Sequence, residues 1–278
     1  TRGQGRPSQA RRPLVEAEFR SIITELRKSE DYYVRYGITA LFAYQFHMIA
    51  RIDDVCKWRR EHVAASKSHP DKAGMSRLPW SKNVTEERDS PWQHMLGCMD
   101  WVFCPILNVG VWLEVFHANT PDARRRPFVF GFSEELREGS KYEELAADQG
   151  KAKVYSLTRP LLKDMNVDLD GLIGTHSVRK FASTYARSNG VAKDDKDHRG
   201  RWQTDNRQSN RYDDIQLDWP DAMVAQVLCI GSVCSYVCID AACMPELIVE
   251  HVTPNIREVF GMGFAVLCGR AILWLAFS

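Results

Sequence analysis

Three polar segments in the second half of the chain read Thr-His-Ser-Val-Arg at 175–179, Arg-Gly-Arg-Trp at 199–202 and Arg-Tyr-Asp at 211–213. They place a His three residues before an Arg, a Trp 26 residues after the His and a Tyr 10 residues after the Trp. A fourth segment, Ala-Arg-Ile-Asp-Asp at 50–54, supplies another arginine. Together these residue types provide what attack on a phosphodiester needs without a metal: a nucleophile, cationic clamps and hydrogen-bond donors.

The bulk composition bounds the class of protein. With 278 residues and 44% hydrophobic content, the chain is long enough for one large domain, or for one domain with an extension. The net charge of +1 identifies no partner. Basic residues outnumber acidic ones over 1–28 and 151–212, whereas acidic residues dominate 213–278. A basic stretch of this kind is typical of a surface that binds an anionic polymer, or of a solvated charged face.

The eight cysteines show no CxxC pairs and no histidines at zinc-binding intervals. No signal peptide opens the given sequence, so we expect reduced thiols in an intracellular protein, nuclear if its source is eukaryotic. Four of the cysteines lie close together among Val, Ile and Ala, which favours core packing over a metal cluster. These four are Cys229, Cys234, Cys238 and Cys243.

Apolar periodicity predicts a mainly α-helical protein. Residues 14–28 show helical spacing, and 31–55 is predicted to be one long, buried helical region with a break near Gly37. Residues 133–147 are predicted to be surface helix or loop. Further helices are predicted over 105–117, 158–165 and 175–188, the last of them capped by Thr175.

A small antiparallel β-sheet is predicted beside these helices, which gives an α+β fold class. Its strands are predicted at 77–84 and 92–96, around a polar turn at 85–91, with a further short strand at 128–130. The very apolar run 259–277 contains a central Arg270, which is costly in lipid. The run therefore predicts a buried helix that closes the domain or packs on a neighbouring subunit, and not a membrane span.

Arg51 and Arg179 are the candidates for neutralising the two non-bridging oxygens of a phosphodiester, because a guanidinium can make two charge-assisted bonds to phosphate. Asp54 is the candidate for supporting Arg51. His176 lies one helical turn before Arg179, so both side chains project from the same face. The His176 ring can hold the phosphate or manage the proton of the nucleophile.

The remaining candidates supply the nucleophile, a proton donor and a further hydrogen bond. Tyr212 can attack phosphorus and form a covalent phosphotyrosine. Lys82, beside the predicted hairpin turn, can protonate the leaving hydroxyl as a general acid. Trp202 can donate its indole N–H to a phosphate oxygen.

The order Arg, Lys, His-x-x-Arg, Trp, Tyr resembles the catalytic domain of the tyrosine recombinase (phage integrase) family. Arg51 and Asp54 are similar to that family's first-arginine motif, in which an acidic residue follows three positions later. His176-Ser-Val-Arg179 matches its His-x-x-Arg box. The resemblance covers about 14–214, and the surrounding sequence is most similar to recombinases of eukaryotic mobile elements such as Cryptons.

The other two landmarks of the family also have counterparts. Trp202 lies at the position that the family fills with His or Trp, and Tyr212 lies at its nucleophile. The interval from Arg51 to Lys82, with a hairpin between them, also fits. The resemblance implies cleavage of duplex DNA without metal or cofactor, through a 3′-phosphotyrosine, and rejoining by a 5′-hydroxyl. It also implies a homo-oligomer, a tetramer on DNA, with no membrane partner.

The resemblance suggests a division of the chain into three parts. Residues 1–13 are predicted to be a basic arm or linker end, 14–214 the catalytic domain, and 215–278 an apolar extension. Two features depart from the family. Its DNA-clamp domain is not in this sequence, and a long apolar tail follows the nucleophile, where the family has a short helix exchanged between subunits.

Several alternatives stay open at the level of sequence. Tyr185 and Tyr236 are rival nucleophiles in more apolar surroundings, and His198 is a rival of Trp202 at poorer intervals. Lys67 and Lys72 lie near Lys82. For the function itself, a DNA-binding module without catalysis and a type IB topoisomerase-like relaxation of DNA are the alternatives to strand transfer.

Overall fold

A computed structural model of the chain describes residues 12–70, 72–81, 84, 90–132, 137, 140–164, 175–202, 218–234 and 245–277. Within these ranges the fold is mainly α-helical with one small antiparallel sheet, as the sequence predicts. The strands are β1 (Val63–Ala65), β2 (Ala73–Ser76) and β3 (Gln93–Leu96). The helices are α1 (Glu16–Arg27), α2 (Thr39–His47), α3 (Ile52–Cys56), α4 (Pro105–Asn119), α5 (Ser140–Asp164), α6 (Thr175–Ser188), α7 (Lys193–Arg199), α8 (Asp218–Val227), α9 (Pro245–His251), α10 (Pro254–Phe260) and α11 (Met262–Phe277).

Helix α2 forms the centre of the core, and all of its residues are buried. A helix that is apolar around most of its circumference must be covered on every side. Neighbouring helices α4 and α6 pack against it. Its Phe46 ring meets Phe19 of α1, Phe103 and Phe181 of α6, with ring centroids 4.9–5.7 Å apart. The carboxyl end of α2 is therefore a rigid starting point for the residues that follow it.

The predicted break near Gly37 is wrong. Residues Tyr33–Ile38 form a π-helical turn that runs directly into α2, and Gly37 fits there because a Cβ would lie 2.9 Å from the Trp112 ring. The chain instead breaks after α2, where Ile49 has a φ of 47°. A β-branched residue rarely adopts this left-handed conformation. The kink places Arg51 in an extended conformation immediately before α3.

The sheet has the order β1-β2-β3, with Ser76 opposite both Val63 and Gln93. The strand predicted at 92–96 is confirmed, but the one predicted at 77–84 is wrong, since the strand ends at Ser76. From Arg77 the chain leaves the sheet, and the Arg77 guanidinium donates to the Ser90 carbonyl at 2.6 Å. The strand predicted at 128–130 is wrong. The segment makes one isolated bridge, between Phe128 and Arg59, and the Val129 N–H donates to the Trp58 carbonyl at 2.8 Å.

The helices predicted at 105–117 and 175–188 are confirmed as α4 and α6, while the capping role of Thr175 stays a prediction. Helix α5 is longer than predicted, and helix α7 was not predicted. Helix α5 continues over 25 residues and contains Pro160. Helix α7 is only two turns long and strongly charged, with acids in its first turn and bases in its last. Such charges complement the helix dipole. Because α7 is so short, its sequence shows no apolar period from which the helix could be predicted.

The described C-terminal segments pack onto the same chain. Helix α11 lies against α4 so closely that a Cβ on Gly110 would be 2.9 Å from Cβ of Cys268. Gly261, with a φ of 81°, separates α10 from α11. Among the described residues, no helix is both long and apolar enough to span a membrane. The boundary proposed at residue 214 stays a prediction, because 203–217 lie outside the described residues.

The cysteines that the structure describes are buried and form no disulfides. Cys229 and Cys234 pack in the core, as predicted, while Cys238 and Cys243 lie outside the described residues. Burial raises the pKa of the Cys234 thiol to about 11. In the described part of the chain, no group of three or more His, Cys, Asp or Glu side chains is arranged to hold a metal ion.

Candidate active site

The start of helix α3 places Arg51 and Asp54 side by side. The Asp54 carboxylate accepts the Arg51 backbone N–H at 3.3 Å, which satisfies one of the free N–H groups at the helix start. Ser81 donates its hydroxyl to the same carboxylate oxygen at 3.1 Å. Asp54 is almost completely buried. The carboxylate therefore fixes the backbone of Arg51 and leaves the Arg51 guanidinium outside this hydrogen bond.

Helix α6 brings Arg179 to the same carboxylate from a distant part of the sequence. Its Nη1 lies 4.0 Å from Oδ2 of Asp54, while its Nη2 donates to the Gly200 carbonyl at 2.5 Å. The guanidinium lies over the Trp202 ring, with 4.3 Å between its central carbon and the ring centroid. The structure thus joins four of the predicted residues, which are Arg51, Asp54, Arg179 and Trp202.

Trp202 ends a tight turn after α7. Its ring lies so close to Gly200 that a Cβ there would be 1.9 Å from the ring. Arg201, between them, adopts a φ of 53°, which is uncommon for a non-glycine residue. Lys196 of α7 also approaches the ring, with its Nζ 4.7 Å from the centroid. The turn therefore places an aromatic ring between two cationic side chains.

The site concentrates positive charge in a buried volume. Burial, together with the nearby charges of Arg201 and Arg51, lowers the pKa of Arg179 to about 9, against the opposing effect of Asp54. Burial also lowers the pKa of Arg201. The charges of Asp54 and Asp221 oppose this effect without overcoming it, since the pKa values of Arg179 and Arg201 both stay lowered. A dianionic or monoanionic ligand at this point would relieve the repulsion among them.

Two guanidinium nitrogens at the site lack hydrogen-bond acceptors among the described residues. They are Nη1 of Arg51 and Nη1 of Arg179, and both atoms are buried. A buried donor without an acceptor is costly, and a bound anion or water is a common partner for one. The pair of nitrogens is a suitable binding site for the oxygens of an anion.

A cleft of about 830 Å³ opens beside Arg51. It is lined by basic side chains from several elements and by an aromatic one that is partly exposed, Trp80. Lys151 of α5 bridges Asp53 and Asp148 across it, at 2.9 and 2.8 Å. The other basic residues of the lining are Lys57, His62 and Arg77.

The remaining predicted residues are placed less completely. His176 is exposed at the start of α6, one turn before Arg179. Lys82, Tyr212 and the rival Tyr236 lie outside the described residues. The rival Tyr185 packs its ring against Phe46 and Phe181, and burial raises its pKa.

The rivals of Trp202 and Lys82 lie within the described residues. His198 is half-buried on α7, while Lys67 and Lys72 are exposed between β1 and β2.

The buried residues that hold the turn 199–202 in place were not predicted from the sequence. The buried Arg199 donates to Asp221 at 2.6 Å, and Arg201 donates to Gln93 at 2.6 Å. The segment Arg-Gly-Arg-Trp contained a usable indication, since two arginines around a glycine are unusual next to an aromatic residue. The partners Gln93 and Asp221 have no such marker in the sequence.

Comparison with known proteins gives a structural match. No protein-family model and no curated protein matches the sequence. Among solved structures, the chain is similar to a point mutant of Flpe in a DNA Holliday junction complex (TM-score 0.58), to Flpe with a Holliday junction (0.55) and to Flp recombinase in another Holliday junction complex (0.53). Sequence identity is 12% in each case. The fold is that of the tyrosine recombinases.

The matches extend over nearly all of this chain. They cover 92–94% of its residues, and the chain spans about 64% of the length of the matched proteins. The likeness establishes the architecture, and the fold predicted from the sequence is confirmed. The chemistry of this chain depends on its own side chains.

Proposed function

We propose that the protein is a tyrosine-type DNA strand transferase that cuts and rejoins duplex DNA without a metal. One observation carries the proposal. Arg51 and Arg179, 128 positions apart in the sequence, meet at Asp54, and each keeps a buried Nη1 that has no acceptor in the described part of the chain. Such an arrangement is suited to a phosphate group. An ordinary core does not tolerate it readily.

The chemistry of a phosphodiester explains why two arginines are needed. The phosphorus is shielded by negative charge, and more charge develops on the non-bridging oxygens as the nucleophile approaches. The two guanidinium groups would neutralise these oxygens. Asp54 fixes the backbone of Arg51, while the Gly200 carbonyl and the Trp202 ring position the guanidinium of Arg179. His176, at the exposed start of α6, would hold the phosphate or take the proton of the nucleophile.

Strand cleavage is a balanced exchange of two ester bonds. The Tyr212 oxygen attacks phosphorus and gives up its proton, a P–O bond to tyrosine forms, and the P–O bond to the 5′-oxygen breaks. Lys82 donates a proton to that leaving oxygen. A 5′-hydroxyl then attacks the 3′-phosphotyrosine, which restores the phosphodiester and the tyrosine. Ser81, which immediately precedes Lys82, already contacts Asp54.

The substrate class would be duplex DNA brought together in site-specific recombination or transposon integration. The matched Flp structures contain Holliday junctions, so a four-way DNA junction is the natural intermediate to test. By this proposal the protein acts as a tetramer on DNA. The similarity to Crypton-like mobile elements, with action in the nucleus, is part of the same proposal.

A covalent-trapping assay tests the function. The full chain is incubated without metal with nicked or phosphorothiolate duplexes from its own genomic flanks, and a denaturant-resistant protein–DNA band is measured. We expect the band with wild type and its loss with Tyr212→Phe. A band that persists in Tyr212→Phe would reject Tyr212 as the nucleophile.

The two alternative functions give different results in the same experiment. Salt-sensitive DNA binding without any adduct would identify a binding module that lacks catalysis. Relaxation of supercoiled DNA by monomers at random sites would identify topoisomerase activity of the type IB kind.

A further inference from the structure

The turn between α7 and Trp202 sets the position of Arg179 from two sides. The Gly200 carbonyl accepts the Nη2 hydrogen, and the Trp202 ring lies beneath the guanidinium plane. Helix α6 fixes only the Cα of Arg179, while its long side chain has several rotatable bonds. The direction of the unpaired Nη1 therefore depends on where the turn lies.

Arg199 anchors the turn to the His47 and His94 carbonyls, and Arg201 anchors it to the Met48 carbonyl. Gln93, at the start of β3, adds two further bonds. Its Nε2 donates to the Arg199 carbonyl at 3.1 Å, and its Oε1 accepts from Nη1 of Arg201 at 2.6 Å. Gln93 is almost completely buried. These two bonds attach the residue on each side of Gly200 to the same amide group.

The amide also links the two halves of the candidate site. Gln93 lies opposite Ser76 of β2, and the Ser76 hydroxyl is hydrogen-bonded to Tyr44 of α2 at 2.5 Å. Beyond β2 the chain continues to Ser81, which contacts Asp54. The sheet that carries Gln93 is thus tied to the elements that carry Arg51. Gln93 connects this frame to the turn that holds Arg179.

We propose that Gln93 is a positioning residue for strand cleavage, which acts through the turn 199–202 to aim Arg179 at the phosphate beside Arg51. This inference rests on the proposed function. The amide presents a donor and an acceptor together, on two separate atoms. A carboxylate lacks the donor for the Arg199 carbonyl, and an apolar side chain lacks both groups.

The chain contains a matched control in Asn108 of α4. This buried amide accepts from Nη2 of Arg27 at 2.6 Å and donates to the carbonyls of Trp101 and Cys104 at 2.7 and 2.8 Å. It therefore has the same chemistry as Gln93, a bond from a partly buried arginine and bonds to main-chain carbonyls. Its bonds join α1 to α4 and the segment before it, away from the turn 199–202.

The experiment compares Gln93→Met, Gln93→Glu and Asn108→Leu with wild type in the full chain. Three quantities are measured: the single-turnover rate of adduct formation at saturating DNA, the affinity for the same DNA, and the free energy of unfolding in urea. A fourth readout needs no catalysis. The side-chain ¹⁵N NMR signals of Arg179 report whether its Nη groups are held in place or rotate freely.

We expect Gln93→Met to reduce the adduct rate by about 10²-fold, the loss typical of a misplaced catalytic group, with unchanged DNA affinity. Gln93→Glu keeps the acceptor for Arg201, so a smaller loss is expected. Asn108→Leu should lose as much stability as Gln93→Met and keep the wild-type rate. The separate resonances of the Arg179 Nη groups should collapse in Gln93→Met and persist in Asn108→Leu.

Equal rates for wild type and both Gln93 variants would overturn the inference, as would equal loss in Asn108→Leu. If wild type itself forms no adduct, the proposed function fails, and the NMR comparison still decides the role of Gln93. Arg179 signals that are unchanged in both Gln93 variants would then reject it. If Gln93→Met does not fold, Gln93→Glu provides the same comparison.

Discussion

Two buried arginines near the same turn have opposite hydrogen-bonding states. Arg199 donates from Nε to the His47 carbonyl, from Nη1 to Asp221 and from Nη2 to the His94 carbonyl, at 2.6–2.9 Å. Arg179, 20 positions earlier, donates from Nη2 to Gly200 but has no acceptor for Nη1 among the described residues. Arg199 is saturated by protein groups, whereas Arg179 keeps a donor for something else.

The difference shows that burial of a charged side chain is not by itself evidence of function. Asp221 neutralises Arg199, and the interactions with Arg199 and His94 outweigh burial and hold the pKa of Asp221 below its usual range. This ion pair therefore belongs to the scaffold, where it joins α2, β3 and α8. In the described ranges no carboxylate lies within hydrogen-bond distance of Arg179, and Arg179 shares its surroundings with Arg51. An incomplete buried cluster of cations is the better guide to a ligand site.

The largest expected effect concerns stability. Arg199→Met leaves Asp221 buried without its ion-pair partner, so the free energy of unfolding should fall by about 3–5 kcal/mol. Urea denaturation measures this change. As a control, Arg20→Met removes a partly exposed arginine from ion pairs with Glu16 and Asp100, and should cost less than about 1 kcal/mol. Equal losses in the two variants would remove the distinction between scaffold and surface.

The second effect separates activity from stability. Arg179→Met should reduce adduct formation by about 10²- to 10³-fold, as expected when a donor to developing negative charge is removed. The fold should lose no more than about 1.5 kcal/mol, because loss of the bond to Gly200 and of the contact with Trp202 is partly offset by relief of repulsion from Arg51 and Arg201. Single-turnover trapping and urea denaturation on the same preparation measure both quantities.

An anion provides a second check on Arg179. Inorganic sulfate should raise the melting temperature of wild type more than that of Arg179→Met, since binding to the native state adds to stability. The same rise in both proteins would contradict an anion site at Arg179. The missing acceptor of Arg179 would then not indicate a ligand site, and the contrast with Arg199 would have no functional meaning.

A third, smaller effect tests the turn that separates the two arginines. Gly200→Ala places a Cβ against the Trp202 ring, so the ring must move away from Arg179, and overpacking of this kind costs about 1–3 kcal/mol. We expect slower adduct formation together with this loss. Gly110→Ala is a steric control between α4 and α11, and it should lose stability without a change in the single-turnover rate.

The smallest effect is a pH dependence on the scaffold side. Burial first, and then the charge of Arg199, keeps the pKa of His47 well below its ordinary value, against the opposing charge of Asp221. His47 therefore stays neutral in the native state and takes up a proton on unfolding below about pH 6.5. Stability should fall as the pH drops below this value, by up to about 1.4 kcal/mol per pH unit.

His47→Gln isolates this contribution. Glutamine can still accept the Leu96 N–H that the His47 ring accepts at 3.1 Å, but it takes up no proton. Urea denaturation between pH 7 and pH 5 should therefore show a flatter profile in the variant. His62 and His117, whose pKa values are also lowered by burial, remain in both proteins and cancel in the difference. Parallel profiles would show that His47 does not contribute.

Much of the helical framework could be predicted from the sequence, because apolar residues repeat at the helical period wherever one face of a helix meets the core. Helices α1 and α6 show this pattern, whereas α4 is a continuous apolar run that is buried on most sides. The pattern fails where position in the fold overrides it. The kink at Ile49 lies in a run as apolar as the helix before it, and only the packing around α2 makes the chain turn there.

The candidate site divides in the same way. Residue type and order along the chain pointed to Arg51, Asp54, Arg179 and Trp202 as candidates, because the functional group of a side chain and its spacing can be seen in the sequence. Gln93 and Asp221 carry no mark in the sequence, because an amide on a strand or an acid on a helix is ordinary until its partners are known. Their roles arise from contacts with Arg199 and Arg201, more than 20 residues away for Asp221 and more than 100 for Gln93.

The sequence by itself determined the fold class and supplied the candidate side chains for action on a phosphodiester, since periodicity and residue chemistry are local properties of the chain. The tertiary structure decided which arginine is satisfied and which keeps a donor without an acceptor among the described residues. Arg179 and Arg199 are the same residue type in similar polar segments, and nothing in their neighbours along the chain separates them. Hydrogen bonds depend on atoms meeting within about 3 Å, and only the folded chain brings those atoms together.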